Sequence, residues 1–185
     1  MAGGTITIDV KDEGVTEFFR DISSRCLNKK PVLSAIGQIV HASVVRNFEK
    51  GGRPNAWARL SPTTKAQRAR KGKWPGKTLL IQGFAGGLLG SIHPTVGTDN
   101  VSVGTDKAYA AVHQFGARKG SFGTFSVIVK EHMRKPSKGK PSTIGTHSRK
   151  QKLPWGDIPA RPFLLVQPED WDEIRATMLD YLIGR

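Results

Sequence analysis

Apolar and polar positions along this chain follow two periods, and the switches between them mark its elements. Residues 5–10, T-I-T-I-D-V, set Ile6, Ile8 and Val10 against polar neighbours, which is the two-residue period of a half-buried strand. Asp12, Glu13 and Gly14 end it. Across residues 15–26 the spacing becomes helical, with Val15, Phe18, Phe19, Ile22 and Cys26 on one face that is expected to be core. Pro31 suits the first position of a second helix, where its missing N–H is not needed. Ala35, Ile36, Ile39, Val40, Ser43, Val44 and Phe48 then recur at helical spacing, with His41, Arg46, Asn47 and Lys50 to the sides. This segment is expected to be the main core helix.

Residues 51–55, G-G-R-P-N, form a loop by composition, and Trp57 and Leu60 can anchor it. Ser61 as cap and Pro62 in the first turn predict a helix whose body, K-A-Q-R-A-R-K-G-K, has no apolar face. The glycines of 79–92 suit a short turn or helix that leads into a strand, and 92–105 reads as a hairpin turning at 97–100. In 101–116, V-S-V-G-T-D-K-A-Y-A-A-V-H-Q-F-G, a strand hands over to one or two helical turns ending at Gly116. Phe125, Val127 and Val129 give 122–130 strand character, as an addition to the sheet or an outward ribbon. Residues 158–166 run extended because their prolines bias the residues before them, and Phe163, Leu164 and Val166 are expected to return to the sheet. Pro168 opens the last helix, with Glu169, Asp170, Asp172 and Glu173 in its first turns and Trp171, Ile174, Met178, Tyr181 and Leu182 as its apolar face.

These elements predict an α+β fold: a small mixed or antiparallel sheet flanked by helices, with long basic loops. A single domain over 1–185 is expected, with a flexible basic loop at 61–78 and a basic arm at 117–154. The 37% hydrophobic content, 21 Gly and 11 Pro fit a modest core with large excursions. No apolar run approaches the roughly 18–20 residues of a membrane span, and the first residues lack the basic and apolar regions of a signal peptide. Synthesis and use in the cytoplasm, without membrane contact, are therefore expected. A lone Cys26 agrees with a reducing compartment.

The net charge is +14, and its placement is informative. Residues 50–98 hold nine Lys or Arg and no acid, and 117–152 hold ten against Glu131 alone. Such stretches attract polyanions, whether nucleic acid or an acidic protein surface. The glycine-rich segment has no lysine where a phosphate-binding loop needs one, and the histidines, carboxylates and Cys26 show no catalytic or metal-binding spacing. No enzyme activity, cofactor or metal is expected. The alternative to a structural role is a nucleic-acid-binding protein that uses basic loops for non-specific phosphate contact. Trp57, Trp74, Phe122 and Phe125 could stack on bases there, although no helix-turn-helix or zinc-finger pattern is present.

The string V-x-V-G-T-x-x-x-Y-A-x-x-H-Q-F-G, preceded by L-I-Q-G-F-A-G-G-L-L-G-S-I and followed by I-P-A-R-P-F-L, resembles the virion morphogenesis family of Mu-like tailed phages. The likeness runs from about residue 32 to the end of the chain. It implies a minor virion protein of the neck with a tail terminator-like fold: a tail completion ring, usually six-fold, that caps the tail tube and joins it to the DNA-filled head. The implied partners are other copies of itself, the tail tube protein, head-side connector or neck proteins, and packaged DNA. The subunit interface is expected at His113, Gln114, Phe115 and Gly116 together with Arg161, Pro162 and Phe163. Contact with adjacent rings or DNA is expected at Arg68, Arg70, Lys71, Lys73, Arg134, Lys135, Lys138, Lys140, Arg149, Lys150 and Lys152. The acidic start of the last helix is expected to meet a neighbour's basic loop.

Overall fold

The computed structural model describes residues 12, 14–83, 85–134, 139–152 and 156–184. The strand expected at 5–10 lies outside them. The chain forms two compact units, one from Met1–Lys107 with Phe163–Arg185 and one from Ala108–Pro162. All strand pairing among the described residues is antiparallel, and the fold class is α+β.

The first unit is built on α2 (Lys30–Lys50), which follows α1 (Val15–Leu27). Pro31 lies in its first turn, and Gly51 ends it at φ 72°, a left-handed cap that glycine adopts without strain. A hairpin of β1 (His93–Val96) and β2 (Val101–Gly104) packs on α2, with His93 opposite Gly104 and Val96 opposite Val101. The helix α5 (Pro168–Ile183) packs on α2 as well. Phe48 is the centre of the core: its ring lies 5.6 Å from that of Trp57, edge-on, and 5.4 Å from that of Phe163. Val44, Leu79, Leu88, Leu89, Ile92 and Ile174 are buried with them. The glycine-rich segment leads through a 3-10 turn, Leu89–Ser91, into β1, as its spacing predicts.

Gly37 is what allows the hairpin to approach α2. A Cβ at this position would stand 2.9 Å from both Pro94 Cβ and Val101 Cγ2. Gly37→Val is therefore expected to destabilise the protein by about 1–3 kcal/mol through overpacking, measured as a lower urea midpoint at unchanged slope.

Three expectations are corrected. The apolar face of α1 is not core: Val15, Phe18 and Phe19 are 53%, 48% and 63% exposed, and Cys26 is exposed too. The reason is where α1 meets α5. Tyr181 Oη donates to the Asn28 carbonyl and Arg25 Nη1 to that of Leu182 at 2.9 Å, so it is the C-terminal end of α1 that meets the C-terminal end of α5, away from Val15, Phe18 and Phe19 at its start. Much of the apolar face of α5 is likewise open. Ile174 is buried, but Trp171 and Met178 are about half exposed. Finally, 163–166 forms no strand. Asn47 Nδ2 donates to the carbonyls of Phe163 at 2.9 Å and Leu165 at 3.0 Å, which fastens this segment to α2.

The basic helix appears as α3 (Pro62–Arg70), and Ser61 Oγ accepts from the Thr64 N–H at 3.2 Å, as its cap requires. Arg68 is buried at its end. It donates to the Lys77 and Thr78 carbonyls at 3.0 and 2.7 Å, so the loop after α3 folds back on the helix.

The second unit holds α4 (Ala110–Phe115) and four strands: β3 (Thr124–Val129), β4 (His132–Arg134), β5 (Ser142–Ile144) and β6 (His147–Lys152). The strand read at 122–130 is present as β3. Its partner β6 runs through the stretch read as an arm, pairing Thr124 with Lys152 through Val129 with His147. β4 and β5 continue the same register, His132 with Ile144 and Arg134 with Ser142. Between the two ladders the Glu131 N–H donates to Thr146 Oγ1 at 3.2 Å.

Candidate assembly interface

Two constructions position the surfaces that sequence points to. In the first unit a buried polar cluster joins α2, the 51–55 loop and the start of α5. Asp170 is fully buried. Its Oδ2 accepts from the Ser43 hydroxyl and from the Gln167 N–H at 2.7 Å, and its Oδ1 accepts from Arg46 Nη2 at 2.7 Å. Gln167 and Asp170 form a reciprocal capping box that spans Pro168 and Glu169. Arg53 binds around them, donating through Nε to Asn47 Oδ1 at 2.8 Å, through Nη2 to Ser43 Oγ at 2.7 Å and through Nη1 to Glu169 at 3.1 Å. The Arg53 carbonyl accepts from Gln167 Nε2 at 3.1 Å.

Burial alone would push the Asp170 carboxyl up. The Ser43, Gln167 and Arg46 hydrogen bonds and the Arg53 charge outweigh it, and the group lies below the ordinary 3.8. A carboxylate held ionised by two guanidiniums is a weak base, so Ser43 and Asp170 are not a nucleophile and its activator. The cluster fastens α5 and the loop to α2. Sequence reading placed Asp170 only as a helix-start acid and Asn47 on a side face. The Gln167-to-Asp170 spacing and the Ser43/Asn47 pair, four apart beside Val44 and Phe48, are the signals that point to it.

In the second unit the structure brings together two of the expected interface segments. Ala117 and Ile158 exchange N–H···O bonds of 2.9 and 2.7 Å, and the Arg161 N–H donates to the His113 carbonyl at 2.7 Å. Gly116 stands between them at φ 75°, where a Cβ would lie 2.7 Å from the Ile158 oxygen. His113 and Gln114 are half-buried, and the Tyr109 ring meets that of His113 edge-on at 6.0 Å. Arg161 is buried, and that burial lowers its guanidinium from the ordinary value. Pro162 is exposed, and Phe115 is 78% exposed. Phe163 belongs to the first unit and is fully buried against Phe48, so its side chain serves that core.

The basic residues separate in the same way. Arg68 is structural, as described, while Arg70, Lys71 and Lys73 are exposed, and Lys65 Nζ sits 5.5 Å from the centre of the Trp74 ring. Arg134, Lys140, Arg149 and Lys150 are exposed in the second unit. Lys135 and Lys138 lie outside the described residues, and Lys152 is placed only by its backbone pairing with Thr124. The carboxylates that open α5 are engaged within the unit: Asp172 pairs with Arg175 at 2.9 Å, and Glu173 lies 3.9 Å from Arg46. Among the described residues no group of three His, Cys, Asp or Glu could hold a metal ion, and no helix is long and apolar enough to cross a membrane.

Residues 10–183 match the model of the phage virion morphogenesis family. The chain is also similar to Mu-like prophage FluMu G protein 2 of Haemophilus influenzae strain Rd, with 27% identity over 177 residues and 95% of each chain covered. No solved structure matches.

Proposed function

The chain belongs to the phage virion morphogenesis family, so its role lies in virion assembly, and from that premise we propose that it is the tail completion or terminator ring of the neck. In this reading copies of the chain, six in the usual ring, close on the tail tube after assembly in the host cytoplasm. The finished ring meets the head-side connector or neck proteins on its other face. The protein is a building block of the particle rather than an enzyme.

One observation carries the reading. Phe115 presents a large apolar ring to solvent from the end of a helix whose exit is fixed by Gly116 and the Ala117–Ile158 bridge. An exposed aromatic on a fixed frame has the character of an interface anchor, and closed rings bury such anchors repeatedly. Phe18 and Phe19 on α1 add a second apolar surface in the first unit that its own packing leaves open.

Phe115→Ala tests the ring. Removing a hot-spot aromatic weakens a contact by about 2 kcal/mol or more, close to thirty-fold in each dissociation constant. Native mass measurement at equal concentration should show the wild-type ring replaced by smaller species, with an unchanged circular dichroism spectrum because the side chain is outside the core. A variant that still closes rings would remove Phe115 from the interface. A wild-type protein that stays monomeric with purified tails would overturn the ring itself.

A further inference from the structure

The ribbon of the second unit lacks the burial that would hold it. None of the described side chains of β3, β4, β5 and β6 is buried, and a two-stranded ribbon without a covered face is marginal in water. It is also strongly cationic, with eight Lys or Arg between residues 124 and 152 against Glu131 alone. Two such ribbons repel one another, so the partner that completes it is acidic. The carboxylates of α5 are poor candidates, because Asp170 is buried and Glu169, Asp172 and Glu173 already face Arg53, Arg175 and Arg46.

The register divides the ribbon into two unlike faces. Phe125, Val127 and Val129 stand opposite Gln151, Arg149 and His147, and on this side Val127, Val129 and Gln151 are half-buried. Thr124, Ser126 and Ile128 stand opposite Lys152, Lys150 and Ser148, and every described side chain of this side is exposed. The hydroxyls of Thr124, Ser126 and Ser148 and the ammonium of Lys150 flank the exposed Ile128, with no acid among them, and are the donors that phosphate oxygens accept from. The two segments, 124–134 and 142–152, keep one register, so the ribbon is about 36 Å long at the ordinary strand rise, close to one turn of duplex at about 34 Å.

We propose that this hydroxyl–lysine face of the ribbon, extended by Arg134 and Lys140, is a non-specific binding surface for the phosphate backbone of duplex DNA. The inference rests on the virion reading only for the occasion on which duplex is met, at the head–tail junction. The contact itself stands on charge, register and length.

The test uses the full chain and a fluorescent duplex of arbitrary sequence, titrated by anisotropy between about 50 and 200 mM salt. Wild-type affinity should fall steeply with salt and be equal for unrelated sequences. Arg134→Ala/Lys140→Ala/Lys150→Ala should flatten the log–log slope by about 2.7, at about 0.9 per lost phosphate contact, and weaken binding at least ten-fold at the lower salt. Arg70→Ala/Lys71→Ala/Lys73→Ala removes the same charge from the first unit and should leave the slope near the wild-type value. Equal losses in both triple variants, or a wild-type slope near zero, would overturn the proposal. So would a ribbon variant that keeps DNA affinity but is no longer built into particles, which would make the partner a protein. The mass of each variant is read in parallel: loss of DNA binding with rings intact supports the assignment, and a monomeric wild type that binds duplex sinks the ring while leaving the ribbon proposal standing.

Discussion

Asp170→Ala is expected to remove about 3 kcal/mol of stability, the low end of the usual cost of breaking a buried ion pair, because Arg53 is nearly buried while Arg46 is partly exposed. Arg46 and the nearly buried Arg53 lose their shared carboxylate, Ser43 loses its acceptor, and the Gln167 N–H at the start of α5 is left without its cap. Most domains have only about 5–15 kcal/mol in total, so this one change should remove a substantial share of it. Asp170→Asn preserves the shape and one acceptor oxygen, and its loss should be smaller. The pH dependence separates charge from packing. The folded carboxyl lies below its unfolded value of 3.8, so its contribution is complete above that value and disappears as pH falls through the lower folded value. Denaturation midpoints between pH 6 and about pH 2 should therefore fall more steeply for wild type than for Asp170→Asn. Parallel curves would show that the ionised form is not what matters.

Phe163→Ala should be at least as damaging, at about 3–5 kcal/mol, because it empties a fully buried ring site against Phe48. The comparison with Phe115→Ala is instructive. Both aromatics follow the same family pattern, yet one is enclosed and the other open. Phe163→Ala is expected to lower the melting temperature by roughly 6–20 °C at the shift per kcal/mol of a chain this size, whereas Phe115→Ala should change it little and act on assembly. Should Phe163→Ala melt like wild type while rings fail to form, its ring would belong to an interface after all.

What the sequence made visible was periodicity and punctuation. Pro31, Ser61 with Pro62, and Pro168 each mark a helix that starts within a residue or two of them, and alternation around the turn at 97–100 marks β1 and β2. What it hid depends on who covers whom. The stripe of Val15, Phe18 and Phe19 is a valid amphipathic pattern, but nothing local says that α5 touches α1 only at its other end, by Arg25 and Asn28. Arg68 reads as one more solvated cation because its partners are backbone carbonyls, which carry no sequence signal. β6, H-S-R-K-Q-K, has the composition of a solvated linker and becomes a strand only by pairing with the β-branched run of β3. In the candidate interface the sequence assigns 113–116 and 161–163 to a contact between copies; the bond from the Arg161 N–H to the His113 carbonyl within one chain and the core position of Phe163 carry no sequence signal.

The shared register of the two ladders constrains how this ribbon can change in length. Deleting one residue between β3 and β4 would turn every side chain beyond it to the opposite side, so that Arg134 and Met133 exchanged places. Insertions and deletions among relatives should thus arrive in pairs along the strands, matched on both, or be confined to the connection between β4 and β5.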